Sequence, residues 1–279
     1  MNTSGIIADS GTAPRAGGPA PPRLEISRVT KWYAGAGRDA PRELVLDDIS
    51  LAVRAGEFAA LVGPSGAGKS TLLTIIAGLD EPDSGSVLLD GDPAGPRLGR
   101  VAYMQQRDLL LPWRTVLDNA RLGLELQGTP RAEANRHVSD LAEKFGLARV
   151  LSAHPWRLSG GMRQRAALLR SVLPARGVLL LDEPFGALDA ITRASLQVWL
   201  GEVLDRSDRA VLFVTHDVEE AVLLADRVYV LSAQPGRIVA SVDVDLPRPR
   251  PQGIVTTDRF VEVKRRLLGL LQAHGEAAP

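Results

Sequence analysis

The sequence predicts an α/β fold with an antiparallel β-subdomain and an inserted helical subdomain. Residues 58–62 and 178–181 are short, continuous apolar runs, which are typical of central parallel strands buried on both faces. Residues 24–53 are different, because apolar and polar side chains largely alternate there, as in antiparallel strands with one solvated face. Between the two buried runs, residues 115–145 carry apolar side chains at helical spacing, which predicts a mostly helical insertion.

The chain begins with a segment whose composition does not favour folding. Residues 1–22 are mostly Gly, Ala, Pro, Ser and Thr, so they offer too little apolar surface to offset the entropy of ordering. We expect a disordered tail there. The strands that follow enclose a predicted loop, residues 31–43, which carries Trp32 and Tyr33. An aromatic side chain at this position either stacks on an adenine ring or caps a small core, and the residues alone leave both interpretations open.

A glycine-rich loop follows the first buried strand and precedes an apolar helical pattern. Its sequence is GPSGAGKST, formed by Gly63, Pro64, Ser65, Gly66, Ala67, Gly68, Lys69, Ser70 and Thr71. The spacing GxxxxGK[ST] between a strand and a helix predicts a phosphate-binding loop, here called the phosphate loop, whose backbone N–H groups converge on a polyphosphate. In this interpretation Lys69 lies near the β- and γ-phosphates and Ser70 ligates Mg²⁺. The alternative is a strand-to-helix turn without a ligand, but the strand and helix on either side favour the phosphate site.

The helical insertion is predicted in three parts. Residues 115–126 form one helix that Gly128 ends, and Thr129 with Pro130 supplies the N-cap and first turn of a second helix that runs to Phe145. A third helix, ending near residue 172, starts directly after Ser159, Gly160 and Gly161. A serine and free backbone N–H groups at a helix start form either a second anion site or an ordinary N-cap.

Polar side chains follow the two later buried strands. Asp182 and Glu183 come directly after residues 178–181, and His216 comes shortly after the apolar run 210–214. The carboxyl ends of parallel strands form the edge at which α/β proteins bind ligands. We therefore expect Asp182 to face Mg²⁺ and Glu183 to face an attacking water, while His216, a residue type that is more often structural than catalytic, lies at the same edge.

The C-terminal part is predicted to contain two short strands and a helix. The strands cover residues 228–231 and 238–242, with a turn at Gly236 between them. A helix from about residue 258 to 272 places Phe260, Val263 and Leu267, with Leu270 and Leu271, on one face. That face either packs back on the domain or contacts a partner, and for an isolated terminal helix the first is favoured.

The composition excludes several classes of protein. Lys plus Arg and Asp plus Glu both number 33, so no overall charge attracts nucleic acid. There is no cysteine, which excludes disulfides, thiol catalysis and cysteine-ligated metals. No secretory signal and no apolar run of membrane-spanning length is present, so we expect a cytoplasmic protein that does not cross a bilayer alone.

Taken together, these residues resemble the nucleotide-binding subunit of ABC transporters from Arg23 to about Val242. The motifs occur in order: an aromatic at Tyr33, the phosphate loop, a Q-loop glutamine at Gln106, the signature segment LSGGM (residues 158–162), the strand before Asp182 and Glu183, a D-loop that ends in Asp189, and a switch histidine at His216. The resemblance implies a P-loop NTPase with a RecA-like core sheet. It divides the chain into a tail (1–22), an ATPase domain (23–245) with a helical subdomain at about 107–172, and a linker with an amphipathic helix (246–279).

The resemblance also implies the roles of the site residues, with ATP and Mg²⁺ as cofactors. Two copies pack head to tail, and each ATP lies between the phosphate loop of one copy and Ser159, Gly160 and Gly161 of the other. Tyr33 stacks on adenine, and Asp189 lies at the same interface. Ser70, Gln106 and Asp182 hold Mg²⁺, whereas Lys69, Gln106, Glu183 and His216 act on the γ-phosphate or the attacking water.

Several features resemble a particular branch of importers. DLLLPWRTVLDN, LSGGMRQR and LSAQPGRI are similar to the ATPases that serve nitrate, alkanesulfonate, taurine and thiamine-precursor pyrimidine uptake, with a slight preference for pyrimidines. The implied partners are integral membrane permease subunits, a second ATPase copy and, indirectly, a periplasmic or lipoprotein solute-binding protein, with no nucleic acid. The implied location is peripheral, at the cytoplasmic face of the cell membrane.

Three alternatives to an importer stay open at this stage. An ABC exporter or lipoprotein-release ATPase carries the same motifs. A soluble, non-transport ABC ATPase is less favoured, because the interval between Gln106 and Ser159 is short and only one cassette is present. A kinase or a GTPase leaves the signature segment unexplained.

Overall fold

The computed structural model describes residues 22–35, 41–92, 96–204 and 207–274. The predicted tail lies outside the described residues except for Pro22, which is the first residue of a strand. Part of the predicted loop at residues 31–43 also lies outside them.

The described residues form strands and helices that largely alternate along the second half of the chain. The strands are β1 (Pro22–Tyr33), β2 (Glu43–Arg54), β3 (Phe58–Val62), β4 (Ser84–Leu89), β5 (Val101–Met104), β6 (Val178–Asp182), β7 (Ala210–Val214), β8 (Arg227–Leu231) and β9 (Ile238–Asp243). The α-helices are α1 (Lys69–Ile76), α2 (Val116–Ala120), α3 (Leu122–Leu126), α4 (Arg131–Ala142), α5 (Gly160–Val172), α6 (Ala190–Leu204), α7 (Val218–Leu224) and α8 (Asp258–His274). Short 3₁₀ helices lie at Ala148–Val150, Pro155–Arg157 and Gln252–Thr256.

A six-stranded sheet in the order β5-β6-β7-β3-β8-β9 forms the core. Its strands are parallel except β9, which runs antiparallel to β8. All residues of β3, β6 and β7 are buried, because helices α5 to α8 cover one face of the sheet while α1 and the antiparallel sheet cover the other. This confirms the α/β fold and the two-sided burial predicted from the apolar runs. The carboxyl ends of β3, β5, β6 and β7 therefore meet at one edge.

A separate three-stranded antiparallel sheet, in the order β2-β1-β4, carries the predicted alternating pattern. The prediction of a loop around Trp32 and Tyr33 is wrong, because both residues belong to β1. Trp32 pairs with Leu44, and Tyr33 pairs with Glu43. Aromatic side chains suit a half-buried strand, so the pairing of β1 with β2 continues through Trp32 and Tyr33.

The helical insertion differs from the prediction at its first helix. Residues 115–126 form α2 and α3 rather than one helix, with a break at Arg121, where ψ is −5°. The Arg121 side chain is almost fully buried, and it donates to Glu125 Oε1 (2.6 Å) and to Asn135 Oδ1 (2.9 Å). The contact with Asn135 connects Arg121, at the break, to α4. The spacing of apolar residues along the sequence does not reveal such a contact.

The second helix of the insertion also begins later than predicted. Pro130 is extended, with ψ of 139°, and it precedes α4 without a side-chain cap, so the prediction of Thr129 as N-cap is wrong. The helix ends at Ala142 rather than Phe145. Gly146 follows with a φ of 62°, a backbone conformation that favours glycine after a helix.

The C-terminal helix α8 packs against α7, β8 and β9. Phe260, Val263 and Leu267 are buried there, which confirms that the apolar face turns back onto the domain. Lys264 Nζ donates to Glu219 Oε2 of α7 at 2.6 Å and adds a polar contact beside this face. Within the part of the chain that the structure describes, no helix combines the length and apolar character needed to cross a membrane.

Candidate active site

The phosphate loop joins β3 to α1 at the carboxyl edge of the core sheet. Gly66 and Gly68 have φ values of 80° and 87°, and Gly68 occupies the N-cap position of α1. A Cβ at Gly68 would also lie 2.6 Å from Leu46 Cδ2, so the loop needs glycine there for both backbone and space. The exposed loop residues Ser65, Gly66 and Ser70 therefore lie at the positive end of a helix, where N–H groups without intrahelical partners bind anions.

Lys69 lies inside the curve of this loop. Its Nζ donates to the carbonyl oxygens of Gly63 (2.9 Å) and Pro64 (2.7 Å). Burial lowers the pKa of Lys69, while the negative charges of Glu183 and Asp182 act in the opposite direction. The ammonium group is thus held between the loop and the acidic strand end, where it can meet a phosphate.

The two carboxylates after β6 have different surroundings. Asp182 is almost fully buried, and burial raises its pKa although the Ser70 hydroxyl hydrogen-bonds to it. Glu183 is partly exposed, and its N–H donates to the carbonyl of Val214 at the end of β7 (2.9 Å). Glu183 has a φ of 48°, a backbone conformation that is uncommon and strained for a residue with a side chain.

Two of the other predicted catalytic side chains, Gln106 and His216, lie beside the Glu183 carboxylate. Gln106 Nε2 donates to Glu183 Oε2 at 3.3 Å, and His216 Nδ1 lies 3.4 Å from Glu183 Oε1. The Gln106 side chain follows β5 and the His216 side chain follows β7, so the parallel strands bring residues from distant parts of the sequence to one point. His216 is 65% exposed, which leaves its ring accessible to a ligand.

Tyr33 lies at the side of the phosphate loop, at the end of β1. Its hydroxyl donates to Asp80 Oδ2 at 2.7 Å, and the Thr71 side chain also hydrogen-bonds to it. Lys31 Nζ lies 5.1 Å from the centre of the Tyr33 ring. Burial is the largest cause that raises the pKa of Tyr33, to about 12. Tyr33 is 39% exposed, and its hydroxyl is held next to Thr71 of α1.

The signature segment and the D-loop lie apart from this cluster. The Ser159 hydroxyl accepts from the Met162 N–H (3.3 Å) and caps α5, and Ser159 and Gly160 are exposed. Asp189 is also exposed, and it accepts from the Thr192 N–H (3.0 Å) at the start of α6. Over the described ranges, no hydrogen bond joins Ser159, Gly160, Gly161 or Asp189 to the phosphate loop. The structure therefore brings together the predicted residues around Lys69 and Glu183 but not those around Ser159.

The family of the chain follows from its similarity to known proteins. The family model for the ABC transporter matches residues 46–186. An uncharacterized ABC transporter ATP-binding protein of Methanocaldococcus jannaschii is 45% identical over 251 residues, which cover 90% of this chain and 91% of that protein. The chain belongs to the ABC transporter family. It is an ABC ATPase, an ATP-binding subunit that hydrolyses ATP.

Further relatives and a solved structure add detail. A taurine import ATP-binding protein of Chromobacterium violaceum is 41% identical over 251 residues, covering 88% of this chain and 94% of the relative. A formylaminopyrimidine import ATP-binding protein of Halalkalibacterium halodurans is 40% identical over 223 residues, covering 80% and 86%. The dimeric structure of a post-hydrolysis state of an ATP-binding cassette, bound to ADP and Pi, superposes with a TM-score of 0.71 at 27% identity and covers 80% of this chain and all of that one. The P-loop NTPase fold is thereby confirmed.

The oxygen atoms around Ser70 fit a magnesium ion that is held together with a nucleotide. Among the described residues, no group of three or more His, Cys, Asp or Glu side chains is arranged to hold a metal by itself. The Ser70 hydroxyl and the buried Asp182 carboxylate are hard oxygen donors in contact with each other. Mg²⁺ usually takes one or two such protein ligands and completes its shell with water and phosphate oxygens. A cation at this place would also compensate the buried charge of Asp182.

Sequence reasoning missed two contacts that connect α5 to the site of this ABC ATPase. Gln164 is buried, and its Nε2 donates to the carbonyl oxygens of Glu183 (3.1 Å) and Pro184 (3.3 Å). Arg163 Nε donates to Asp108 Oδ2 (3.0 Å), just beyond Gln106. The available signal was a glutamine that precedes the apolar residues 166–169 in the helix, since a buried amide needs a hydrogen-bonding partner.

Proposed function

We propose that this ABC ATPase powers the import of a small solute through separate membrane permease subunits. The observation that carries the catalytic part is the meeting of Gln106, Glu183 and His216 beside the phosphate loop. The import part rests on the relatives, because two of them, at about 40% identity, are named import ATP-binding proteins for taurine and formylaminopyrimidine. The solute is of the nitrate, alkanesulfonate, taurine or thiamine-precursor pyrimidine type.

The phosphate loop and Tyr33 bind the nucleotide in this proposal. Backbone N–H groups of residues 63–71 bind the phosphates, and Tyr33 stacks on adenine from a position that Asp80 fixes. Lys69 exchanges its contacts with the loop carbonyls for contacts with the β- and γ-phosphates. The exchange is favourable, because a phosphate offers the ammonium group a full negative charge where the carbonyls offer only a dipole.

Ser70, Asp182 and Gln106 hold Mg²⁺, which supplies neutralisation of phosphate charge when it is bound. Glu183 orients or deprotonates the water that attacks the γ-phosphate. His216 contacts the γ-phosphate from the other side of Glu183, and Gln106 reports the presence of that phosphate to the helical subdomain through the segment around Asp108. Each of these roles uses a side chain whose polar atoms face the same point at the sheet edge.

A second copy of the chain completes the site. Ser159, Gly160 and Gly161 supply donors to the ATP held by the other copy, and Asp189 lies at the same interface. The exposure of Ser159, Gly160 and Asp189 supports this arrangement, as does the absence of hydrogen bonds from these residues to the phosphate loop over the described ranges. The dimeric form of the similar solved structure supports it as well. ATP then binds both copies, and hydrolysis removes contacts so that the interface opens.

The surface that contacts the permease lies on the helical subdomain at the cytoplasmic face of the membrane, with a solute-binding protein acting on the other side. Trp113 and Leu109 are apolar and exposed there, and Trp113 is 71% exposed. Arg170 donates to the carbonyl oxygens of Asp108 (2.6 Å) and Leu109 (2.8 Å), which fixes this surface to α5. Large exposed apolar side chains on a held segment are typical of a protein interface.

Capture from membranes tests the function. Tagged Glu183→Gln protein with ATP and Mg²⁺ is expected to recover a multi-span permease, identified by mass spectrometry, whereas omission of ATP reduces the yield. Adding Trp113→Glu is expected to abolish recovery, while Leu268→Glu, an exposed apolar position on α8, serves as the matched control and leaves recovery unchanged. Recovery of only ribosomal or DNA-associated proteins would contradict the transport function.

A further inference from the structure

Glu220 of α7 is a buried acid to which the proposed reaction assigns no role. Only 7% of it is exposed, and it lies four residues after His216. The Thr215 hydroxyl donates to Glu220 Oε2 at 2.7 Å, and Gln197 Nε2 of α6 donates to Glu220 Oε1 at 3.1 Å. Burial raises the pKa of Glu220, so the site holds this acid at a cost that its contacts must offset.

The first set of contacts fixes the turn that carries His216. The Thr215 hydroxyl accepts from the Asp217 N–H (3.0 Å) while it donates to Glu220. The Asp217 carboxylate in turn accepts from the Glu219 N–H (2.8 Å) and caps α7. The residues on both sides of His216 are therefore bonded to one another and to Glu220, which leaves the exposed ring directed at Glu183.

The second set of contacts leads to the D-loop. Arg193 of α6 donates through Nη2 to the carbonyl of Leu188 (3.0 Å), and its N–H donates to the carbonyl of Asp189 (2.9 Å). Its Nε is buried and has no hydrogen-bonding partner within the described residues, yet it lies 3.9 Å from Glu220 Oε1. This distance is within ion-pair range but too long for a hydrogen bond. A small shift of Arg193 would close the gap and satisfy a buried donor, which is favourable.

We infer that Glu220 is a positioning residue that couples the His216 turn to the D-loop. When the second copy engages Asp189, Arg193 moves onto Glu220, and Glu220 holds Thr215 so that His216 stays at the γ-phosphate. The inference rests on the proposed roles of Glu183, His216 and Asp189. Its consequence is that the catalytic groups of one copy respond to the presence of the other.

Variants of Thr215 test the coupling between Glu220 and the turn that carries His216. Thr215→Val keeps the shape of the side chain and removes the hydroxyl, and we expect kcat for ATP hydrolysis to fall about tenfold or more because a catalytic group is displaced. The Kd for ATP is expected to stay within about twofold, since no hydrogen bond joins Thr215 to the phosphate loop among the described residues. Thr215→Ser retains the hydroxyl and is expected to restore most of kcat. A normal kcat in a folded Thr215→Val protein would overturn the inference.

A double-mutant cycle tests the coupling between Glu220 and Arg193. Glu220→Gln removes the charge that faces Arg193 while it still accepts from Thr215, and Arg193→Gln removes the other partner. We expect each change to lower kcat, and the double variant to lower it no further than the stronger single one. If the losses of kcat in the two single variants instead multiply in the double variant, the coupling is overturned. This test does not depend on whether Thr215→Val folds. Wild-type and Glu183→Gln proteins in the same assay separate the two failures: equal rates there would mean that the proposed catalytic roles are wrong.

Discussion

The phosphate loop and the signature segment both lie at the start of a helix, where anions bind favourably. Within one chain, the predicted catalytic side chains lie near the first and not near the second. Lys69 belongs to the phosphate loop, and the Ser70 hydroxyl of that loop hydrogen-bonds to Asp182. Glu183 follows Asp182, and His216 lies beside the Glu183 carboxylate. Ser159 also lies at the start of a helix, α5, and is exposed. None of the predicted catalytic side chains is hydrogen-bonded to it in the described residues. From this difference we propose that each segment is a half-site and that two copies together make a composite site.

The two half-sites are nevertheless joined inside the chain. Helix α5 starts at the signature segment, and one turn later Gln164 contacts the backbone of Glu183 and Pro184. The buried Gln164 amide is therefore a direct contact between the two proposed half-sites.

The largest effect is expected at the phosphate half-site. Glu183→Gln removes the proposed base and keeps the shape of the side chain, so kcat is expected to fall about 100-fold or more while ATP stays bound. Phosphate release and equilibrium ATP binding measure the two quantities. Glu143→Gln, at an exposed position after α4, is the control. Equal hydrolysis by wild-type and Glu183→Gln proteins would overturn the assignment of the base.

The next effect concerns the signature half-site. In the Glu183→Gln background, which is expected to accumulate bound ATP, Ser159→Arg is expected to weaken ATP-dependent dimerisation about tenfold or more, because a bulky side chain replaces the proposed contact with the other copy. Analytical ultracentrifugation with ATP measures the dissociation constant, and Ser152→Arg, an exposed position on the same subdomain, controls for added charge. An unchanged dimer would mean that Ser159 does not lie at the interface.

A smaller effect is expected where the half-sites are joined. Gln164→Leu leaves the carbonyl oxygens of Glu183 and Pro184 without this donor, and we expect the free energy of unfolding to fall by about 1–3 kcal/mol. Urea unfolding followed by circular dichroism measures the change. Gln272→Leu, at an exposed position on α8, should stay near wild type. If both variants unfold at the same urea concentration, the Gln164 contacts contribute nothing to stability.

The smallest effect is expected at Tyr33. Tyr33→Phe keeps the ring and loses the bond to Asp80, so ATP affinity should change by no more than about threefold, whereas Tyr33→Ala should lose about fivefold or more with the stacking surface. Equilibrium titration with ATP gives both constants. An equal loss in the two variants would assign the contribution to the hydroxyl rather than to the ring.

Local sequence patterns predicted most of this molecule, and the failures share a cause. Three features depend on neighbours within a few residues, and the structure contains them: the strand-loop-helix unit around residues 63–71, the buried strand before Asp182, and the N-cap at Ser159, which was one of two interpretations of that residue. Trp32 lies in a strand rather than a loop because of its partner Leu44, and the break at Arg121 depends on Asn135. Such partners are close in space but distant in sequence. The contacts of Gln164 with Glu183 and of Glu220 with Gln197 were missed for the same reason.

Complementation between defective copies tests the composite site most directly. Lys69→Ala disables the phosphate half-site and Ser159→Arg disables the signature half-site, so each protein alone should hydrolyse ATP poorly. A mixture is expected to recover activity well above the mean of the two, because a mixed dimer holds one site with an intact phosphate loop and an intact signature segment. Lys69→Ala mixed with Glu183→Gln should not recover, since both changes fall on the same half-site. If the first mixture shows no more activity than its components, one chain alone forms the whole site and the composite account is wrong.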